Sequence, residues 1–281
     1  MNEHLLYRAF TDDLEWILNT PSLLQDDIRL FRPDTLSSID LHNIRPDAES
    51  LQRARRQKLG YYFEFLVRTL FEAHPDYDIL AENQIIQSQS RTLGELDLLL
   101  RHRPDDRVIH LELALKFYLQ VPSPGDLSTH WVGAGLKDFF HAKLHRLYHH
   151  QLRLPEKARV RNCWPEALPF PDESLLWLPG RLYVPAQADK YAQPVTHFMD
   201  TPWLLNEKAH CSYWLEAEQG IPPQAQALGK ADWLNGRPLN DHSKPLPAQF
   251  SHPSYASPIY VVPFHWYSNA LHAIHNYQQT L

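Results

Sequence analysis

The sequence contains little cysteine and no long apolar run. Its two cysteines, Cys163 and Cys211, lie too far apart for a short metal-ligand spacing. This content excludes a disulfide scaffold or a zinc ribbon and is typical of a reducing compartment. No apolar run approaches the roughly 20 residues of a membrane-spanning helix. The N-terminus carries acids where a signal peptide has an apolar segment. We therefore expect a cytoplasmic protein that has no membrane partner.

An excess of positive charge is also absent. The 281 residues include 27 Lys and Arg and 33 Asp and Glu, which gives a formal net charge of −6 at pH 7. Proteins that coat nucleic acid are usually basic, so nucleic-acid binding by this chain would depend on a local patch. Proline, in contrast, is abundant and uneven, with 5 of the 23 in residues 1–120 and 18 in residues 121–281. The two parts of the chain are therefore built differently.

The pattern of apolar residues predicts an α/β protein. A long helix is expected at residues 47–73, where Asp47 is a candidate N-cap and apolar residues recur every three or four positions. Three antiparallel strands are expected to follow, separated by short polar turns. The predicted strands lie near residues 83–87, 94–100 and 108–118, with a second helix at about 130–152 and a strand at 181–184. Less distinct patterns predict short helices at 1–20, a helix at 209–219, a strand at 259–262 and a closing helix at 264–279.

Polar side chains on two of these strands are candidate metal ligands. Side chains alternate between the faces of a strand, so Glu112 and Lys116 would share one face, and paired strands would place Asp97 beside Glu112. Adjacent carboxylates repel unless a cation or proton joins them, and hard oxygen ligands suit Mg²⁺ or Mn²⁺. Such an ion polarises phosphoryl oxygens and activates water, and Lys116 would assist that water. The alternative is a hairpin with a solvated charged face.

The predicted first helix adds another acid, Glu64. Gly60 and Arg68 lie on the same side of this helix, at positions i−4 and i+4, and Gly60 would allow close packing of the helix on a sheet. Glu64 would then support the metal site. In the alternative interpretation, Glu64 and Arg68 form an ordinary surface ion pair.

The stretches KLGYYFEFLVRTLF, GELDLLL, HLELALKF and LKDFFHAKLHRLYHHQLRL carry a resemblance to a known family. The chain resembles a bacterial domain-of-unknown-function family, number 1853, of the PD-(D/E)XK nuclease-like superfamily. The resemblance implies a restriction-endonuclease-like α/β/α sandwich with a mixed four-stranded central sheet. It also implies metal-dependent cleavage of phosphodiester bonds in DNA or RNA, with Asp97 and Glu112 as metal ligands and Glu64 as the helical acid.

The lysine departs from the superfamily's pattern. The usual position lies two residues after the second acid, where this chain has Ala114, and Lys116 comes four residues after it. The catalytic set implied by the resemblance is therefore Glu64, Asp97, Glu112 and Lys116, with an atypical lysine. The alternative function is a catalytically degenerate member of the fold that acts as a binding or scaffold module.

The resemblance also suggests how the chain is divided. We expect an N-terminal helical and loop segment at residues 1–46, a nuclease-like core at 47–185, and a Pro- and Trp-rich extension at 186–281 that packs on the core. Basic residues on the two predicted helices would contact phosphates, and the alternative is ordinary solvation of the helix surfaces. They are Arg53, Arg55, Arg56, Lys58, Lys137, Lys143 and Arg146.

Histidines at every fourth position form a further pattern. His141, His145 and His149 would line one face of the second predicted helix. Histidines at i and i+4 can bind zinc, which suggests a metal hydrolase of another type as a third hypothesis. The glutamate of an HExxH motif is absent, however, and a polar helix face explains the same pattern.

Overall fold

The computed structural model describes residues 2–25, 27–88, 91–122, 129–186, 204–238 and 245–279. The protein has a mixed α/β fold, as predicted, with two separate mixed sheets. It forms two compact units that interleave along the chain. Unit 1 comprises Met1–Asn19, Asp27–Leu115 and Leu144–Leu178, and unit 2 comprises Thr20–Asp26, Lys116–Lys143 and Pro179–Leu281. The division into contiguous segments at residues 46 and 185 stays a prediction.

Unit 1 contains a mixed four-stranded sheet. Its strands are β1 (Tyr77–Ser88), β2 (Arg91–His102), β3 (Arg107–Leu113) and β6 (Glu173–Trp177), in the order β1-β2-β3-β6. The first three are antiparallel neighbours, as the short turns predicted, and β6 pairs parallel with β3. Because β6 comes from a distant part of the sequence, only the tertiary structure shows that it completes this sheet.

The helices of unit 1 begin with α1 (Glu3–Asn19), α2 (Ala48–Arg56) and α3 (Leu59–Ala73). The predicted N-cap at Asp47 is confirmed, since its carboxylate accepts the Ser50 N–H at 2.8 Å. The helix predicted at 47–73 is divided, because the backbone of Gln57 is extended. The prediction of several short helices at 1–20 is wrong, since α1 is continuous and the Thr11 hydroxyl donates to the Tyr7 carbonyl within it.

The helix predicted at 130–152 is only partly correct. Residues Thr129–Val132 form strand β5, and α4 begins at Phe140 and ends at Arg146. A π-helical turn, Leu147–Gln151, follows, and then α5 (Leu154–Val160). The apolar periodicity is genuine in the second half of this segment. The predicted helix extends too far toward the N-terminus, where Trp131 and Val132 are instead buried strand residues.

Unit 2 contains a seven-stranded mixed sheet that the sequence did not predict. Its strands run in the order β5-β4-β7-β8-β11-β10-β9. Besides β5 they are β4 (Lys116–Pro122), β7 (Gly180–Pro185), β8 (His210–Glu216), β9 (Gln226–Ala227), β10 (Ala248–Ser251) and β11 (Ile259–Val262). The helix α6 (Trp266–Gln278) ends the described part of unit 2.

The predictions for unit 2 had mixed outcomes. The strands at 181–184 and 259–262 and the closing helix are confirmed. The helix at 209–219 is wrong, because this segment forms β8, in which Tyr213 is exposed and Trp214 is buried. The Trp214 indole donates to the Gln120 carbonyl at 2.9 Å. Among the described residues, no helix is both long enough and apolar enough to cross a membrane.

Candidate active site

A cleft of about 460 Å³ opens within unit 1 and contains two of the four predicted site residues, Glu64 and Asp97. Helices α2 and α3 and strands β1, β2 and β3 all contribute to its wall. The residues that line it include charged, polar, aromatic and aliphatic side chains: Ser50, Arg53, Ala54, Gln57, Tyr61, Glu64, Phe65, Arg68, Glu82, Asn83, Asp97, Leu98 and Leu113.

Helical periodicity places one row of α3 side chains in this cleft. Tyr61, Glu64, Phe65 and Arg68 are spaced at i, i+3, i+4 and i+7, which is one face of a helix. The opposite face carries the buried apolar residues Tyr62, Phe63, Leu66, Val67 and Leu70. Burial of that apolar face therefore fixes the direction in which Glu64 points.

The cleft raises the proton affinity of Glu64. Partial burial raises the pKa of this carboxyl from 4.5 to about 7, and the nearby negative charges of Asp97 and Glu95 add to the effect. Burial disfavours the charged form of a carboxylic acid, and a like charge does the same. The Glu64 side chain is therefore partly protonated at neutral pH, and a bound cation would favour its charged form.

Asp97 is held by the neighbouring strand. The β2–β3 pairing extends to Leu98 opposite Leu111, so Asp97 and Glu112 are the next residues beyond the last pair. One oxygen of Asp97 accepts the backbone N–H of Leu113 at 2.7 Å. The antiparallel pairing therefore brings Asp97 next to the chain segment that carries Glu112, as the strand pattern predicted.

Glu112 lies in a more enclosed position than Asp97 and is not part of the cleft wall. It is 3% exposed, and its Oε1 accepts a hydrogen bond from the Gln151 amide at 3.2 Å. The Nε2 of His110 lies 3.9 Å from the other carboxylate oxygen. Burial lowers the pKa of His110 to about 4, so this imidazole is neutral at pH 7 and contributes no ion pair. Gln151 was not identified from the sequence, where it is one polar residue among many in the predicted second helix.

Lys116 has a different position from the predicted one. Residues 108–118 do not form one strand, since β3 ends at Leu113 and β4 of the other sheet begins at Lys116. Within unit 2, the Lys116 ammonium group donates to Asp138 at 2.7 Å, and the Tyr118 hydroxyl donates to the same carboxylate at 3.0 Å. Alternation of faces holds only within a continuous strand. The expectation that Lys116 shares a face with Glu112 is therefore wrong.

The arginines of α2 and α3 have two different environments. Of those at the cleft, Arg53 belongs to the predicted basic group, whereas Arg68 was predicted only as an ion-pair partner of Glu64. Arg53 is exposed at the cleft and pairs with Glu49 at 3.0 Å, while the Arg68 guanidinium lies 3.8 Å from Glu82 and 5.4 Å above the Phe65 ring. Arg55 is not available to a ligand, because it is buried. An exposed ion pair contributes little to stability. Arg53 and Arg68, which line the cleft, can therefore contact a phosphate there.

Arg55 instead joins the three helices that position the cleft. Its guanidinium bonds the buried carboxylate of Asp13 at 2.5 Å and the Tyr62 hydroxyl at 2.9 Å. The Tyr62 hydroxyl also donates to Asp13 at 2.6 Å. One residue from each of α1, α2 and α3 therefore meets in a buried network two residues away from Glu64.

A Cβ added at Gly60 would touch nothing within 4 Å, so the expected close approach at this glycine is wrong.

The histidines of the predicted stripe do not form one group. In unit 1 the rings of His145 and His149 are 4.5 Å apart. In unit 2 the His141 ring lies 5.1 Å from Tyr277 and 6.4 Å from His130. Across the described ranges, no group of three or more His, Cys, Asp or Glu side chains is arranged to hold a metal ion by itself.

A family model described as Domain of unknown function (DUF1853) matches residues 12–253 of the chain. This match covers most of unit 1 and much of unit 2. No curated protein and no solved structure matches the chain.

Proposed function

The chain belongs to the family described as Domain of unknown function (DUF1853), and we propose from the geometry of the cleft that it is a divalent-metal-dependent nuclease of the PD-(D/E)XK type. The observation that carries this proposal is the pair of acids, Glu64 and Asp97, in one cleft with Arg53 and Arg68. Acids that hold a cation and arginines that contact phosphate both stabilise the negative charge that develops in metal-dependent phosphodiester hydrolysis.

The arrangement of elements supports a restriction-endonuclease-like core. A helix bearing Glu64 precedes three antiparallel strands, Asp97 and Glu112 lie on the second and third, and a parallel fourth strand completes the sheet. A mixed four-stranded sheet is what the resemblance implied. In this proposal, the seven-stranded sheet of unit 2 is an addition to that core.

The donor set fits Mg²⁺ or Mn²⁺. Mg²⁺ is usually held by one or two carboxylates together with waters and substrate phosphates. Asp97 and Glu64, the two acids that line the cleft, would hold the ion. Glu112 does not line the cleft, and its role as the second metal ligand stays a prediction. When bound, the ion would polarise a phosphoryl oxygen and lower the pKa of a bound water.

The residues of the chain then have distinct roles. The Leu113 N–H holds the Asp97 carboxylate in place, and the Gln151 amide orients Glu112. Glu64 would lie beside the ion with its carboxylate charged, because a bound cation favours the charged form of a carboxylic acid. Arg53 and Arg68 contact phosphate oxygens. Lys116 is a structural residue of unit 2 in this proposal.

The test is cleavage of labelled DNA and RNA, single- and double-stranded, with Mg²⁺ or Mn²⁺. Wild-type protein is expected to cleave at least one of these substrates, and Asp97→Asn is expected to lose the activity. Glu49→Gln is a matched control, because it also removes one carboxylate near Arg53 but leaves the acids of the cleft in place. Equal rates for wild type and Asp97→Asn would refute the assignment.

A second candidate function is a non-cleaving binding or scaffold module on the same fold. The engagement of Lys116 by Asp138 favours it, because the lysine that usually assists the attacking water is committed elsewhere. Titration calorimetry with Mn²⁺ separates the two candidates. Binding that is lost in Asp97→Asn supports the nuclease, and its absence in wild type supports the binding module.

A further inference from the structure

We propose that the cleft takes single-stranded nucleic acid and stacks one unpaired base on the ring of Tyr61. This inference rests on the proposed function, because it names the substrate of the same cleft. Its basis is Tyr61, an aromatic side chain that the apolar core of unit 1 does not use.

Tyr61 lies on the α3 face that lines the cleft and is 59% exposed. The following residue, Tyr62, is fully buried in the helix interface. In the part of the chain that the structure describes, Tyr61 has no aromatic or hydrogen-bond partner. A single exposed aromatic ring is ordinary at a protein surface. The position of Tyr61 in the cleft wall, beside Glu64 and Arg53, is what makes its ring available for stacking.

The neighbours of Tyr61 suit a nucleotide. Glu64 is one helical turn away, and Arg53 on α2 lines the same cleft with a side chain that is two-thirds exposed. A base on Tyr61 and a phosphate near Arg53 would place the backbone over the acids. The space beside Gly60, which precedes Tyr61, is also open, since a Cβ built there would meet nothing within 4 Å.

The stacking distinguishes single strands from duplexes. The faces of paired bases are covered by the neighbouring base pairs, and an aromatic side chain can stack only on a base that is unpaired or flipped out. The volume of about 460 Å³ lies in the range of sites for small molecules. A cleft of this size accommodates an unstacked nucleotide better than it does the full width of a double helix.

The closing experiment measures binding apart from cleavage. Fluorescence anisotropy is recorded with a labelled single-stranded oligonucleotide and with its duplex, with Ca²⁺ as the hard cation, on the full chain. Single-strand binding is expected to be about tenfold or more tighter than duplex binding. Tyr61→Ala is expected to weaken it about 5- to 150-fold, the range that corresponds to the loss of one base–aromatic stack, while Tyr61→Phe keeps the ring and stays within about twofold of wild type.

Tyr213→Ala is the matched control, because Tyr213 is a 43% exposed tyrosine on β8 of unit 2, and single-strand binding should not change. Thermal melting of Tyr61→Ala should match wild type. Duplex binding as tight as single-strand binding, no binding of either, or wild-type binding by Tyr61→Ala would overturn the inference. Tyr61-dependent single-strand binding without cleavage in Mg²⁺ or Mn²⁺ would support the inference and refute the nuclease. Cleavage of duplex that is independent of Tyr61 would support the nuclease and overturn the inference.

Discussion

Replacement of Glu64 by glutamine is expected to stabilise the protein, and the gain should grow with pH. The fold raises the pKa of this carboxyl from 4.5 to about 7. Between these values the unfolded chain has released the proton and the native state retains it. Since the native state binds more protons, stability falls as pH rises through this window. Above pH 7 the native carboxylate is charged in an unfavourable environment.

The expected size follows from the two pKa values. At about 1.36 kcal/mol per pKa unit, the change corresponds to at most about 3.4 kcal/mol. Glu64 is only partly buried, and screening by water reduces the expected effect to roughly 1–2 kcal/mol. Glutamine has nearly the same shape and no charge at any pH. The Glu64→Gln variant should therefore exceed wild type by this amount at about pH 8, and by less at about pH 5.

Urea denaturation followed by far-UV circular dichroism at several pH values measures this difference. Glu72→Gln is the matched control, because Glu72 lies on the same helix with its side chain 55% exposed. The comparison separates the effect of the partly buried position from that of the substitution itself. A Glu64→Gln variant that is less stable than wild type at pH 8, or whose advantage does not grow with pH, would show that the cleft does not repel the Glu64 charge.

Further predictions concern other parts of the chain. Urea denaturation should show a loss of about 1–3 kcal/mol for Tyr62→Phe and about 3–5 kcal/mol for Arg55→Ala, which leaves a buried carboxylate without its arginine. Gly180→Ala should lower the melting temperature by disturbing the β4–β7 pairing, because the new Cβ would overlap a backbone carbonyl. Mn²⁺ should raise the melting temperature of wild type at pH 8 but not that of Asp97→Asn. Lys116→Met should leave the cleavage rate nearly unchanged, and a large loss would contradict its structural role.

The sequence predicted the structure best for elements that depend only on residues close together in the chain. The N-cap at Asp47 and the apolar face of α3 depend on residues within one or two helical turns, and both predictions agree with the structure. The β2–β3 hairpin is equally local, because a short turn joins strands that pair directly. These elements carry Glu64, Asp97 and Glu112, so the sequence pattern is sufficient to identify the candidate acids.

The errors occurred where a segment depends on distant partners. The stretch at 108–118 has the composition of one long strand, but its N–H groups have different distant partners. Ala114 N–H bonds the Trp177 carbonyl, whereas Lys116 N–H bonds the Pro179 carbonyl. No pattern within 108–118 encodes that change of sheet. Strand β8 depends on distant partners in the same way. Tyr213 is exposed and Trp214 is buried in a strand that lies between β7 and β11, which come from other parts of the sequence.

The sequence by itself therefore determined the mixed α/β class, the helix with Glu64 and the hairpin with Asp97 and Glu112. Periodicity and turn chemistry are properties of neighbouring residues, and they are sufficient for such elements. The tertiary structure alone decided that Glu64 and Asp97 share a cleft, that Arg55 is buried with Asp13, and that Lys116 is bound to Asp138 in the second sheet. Burial and hydrogen bonding between distant segments determine these features, and burial together with the charges of Asp97 and Glu95 raises the pKa of Glu64.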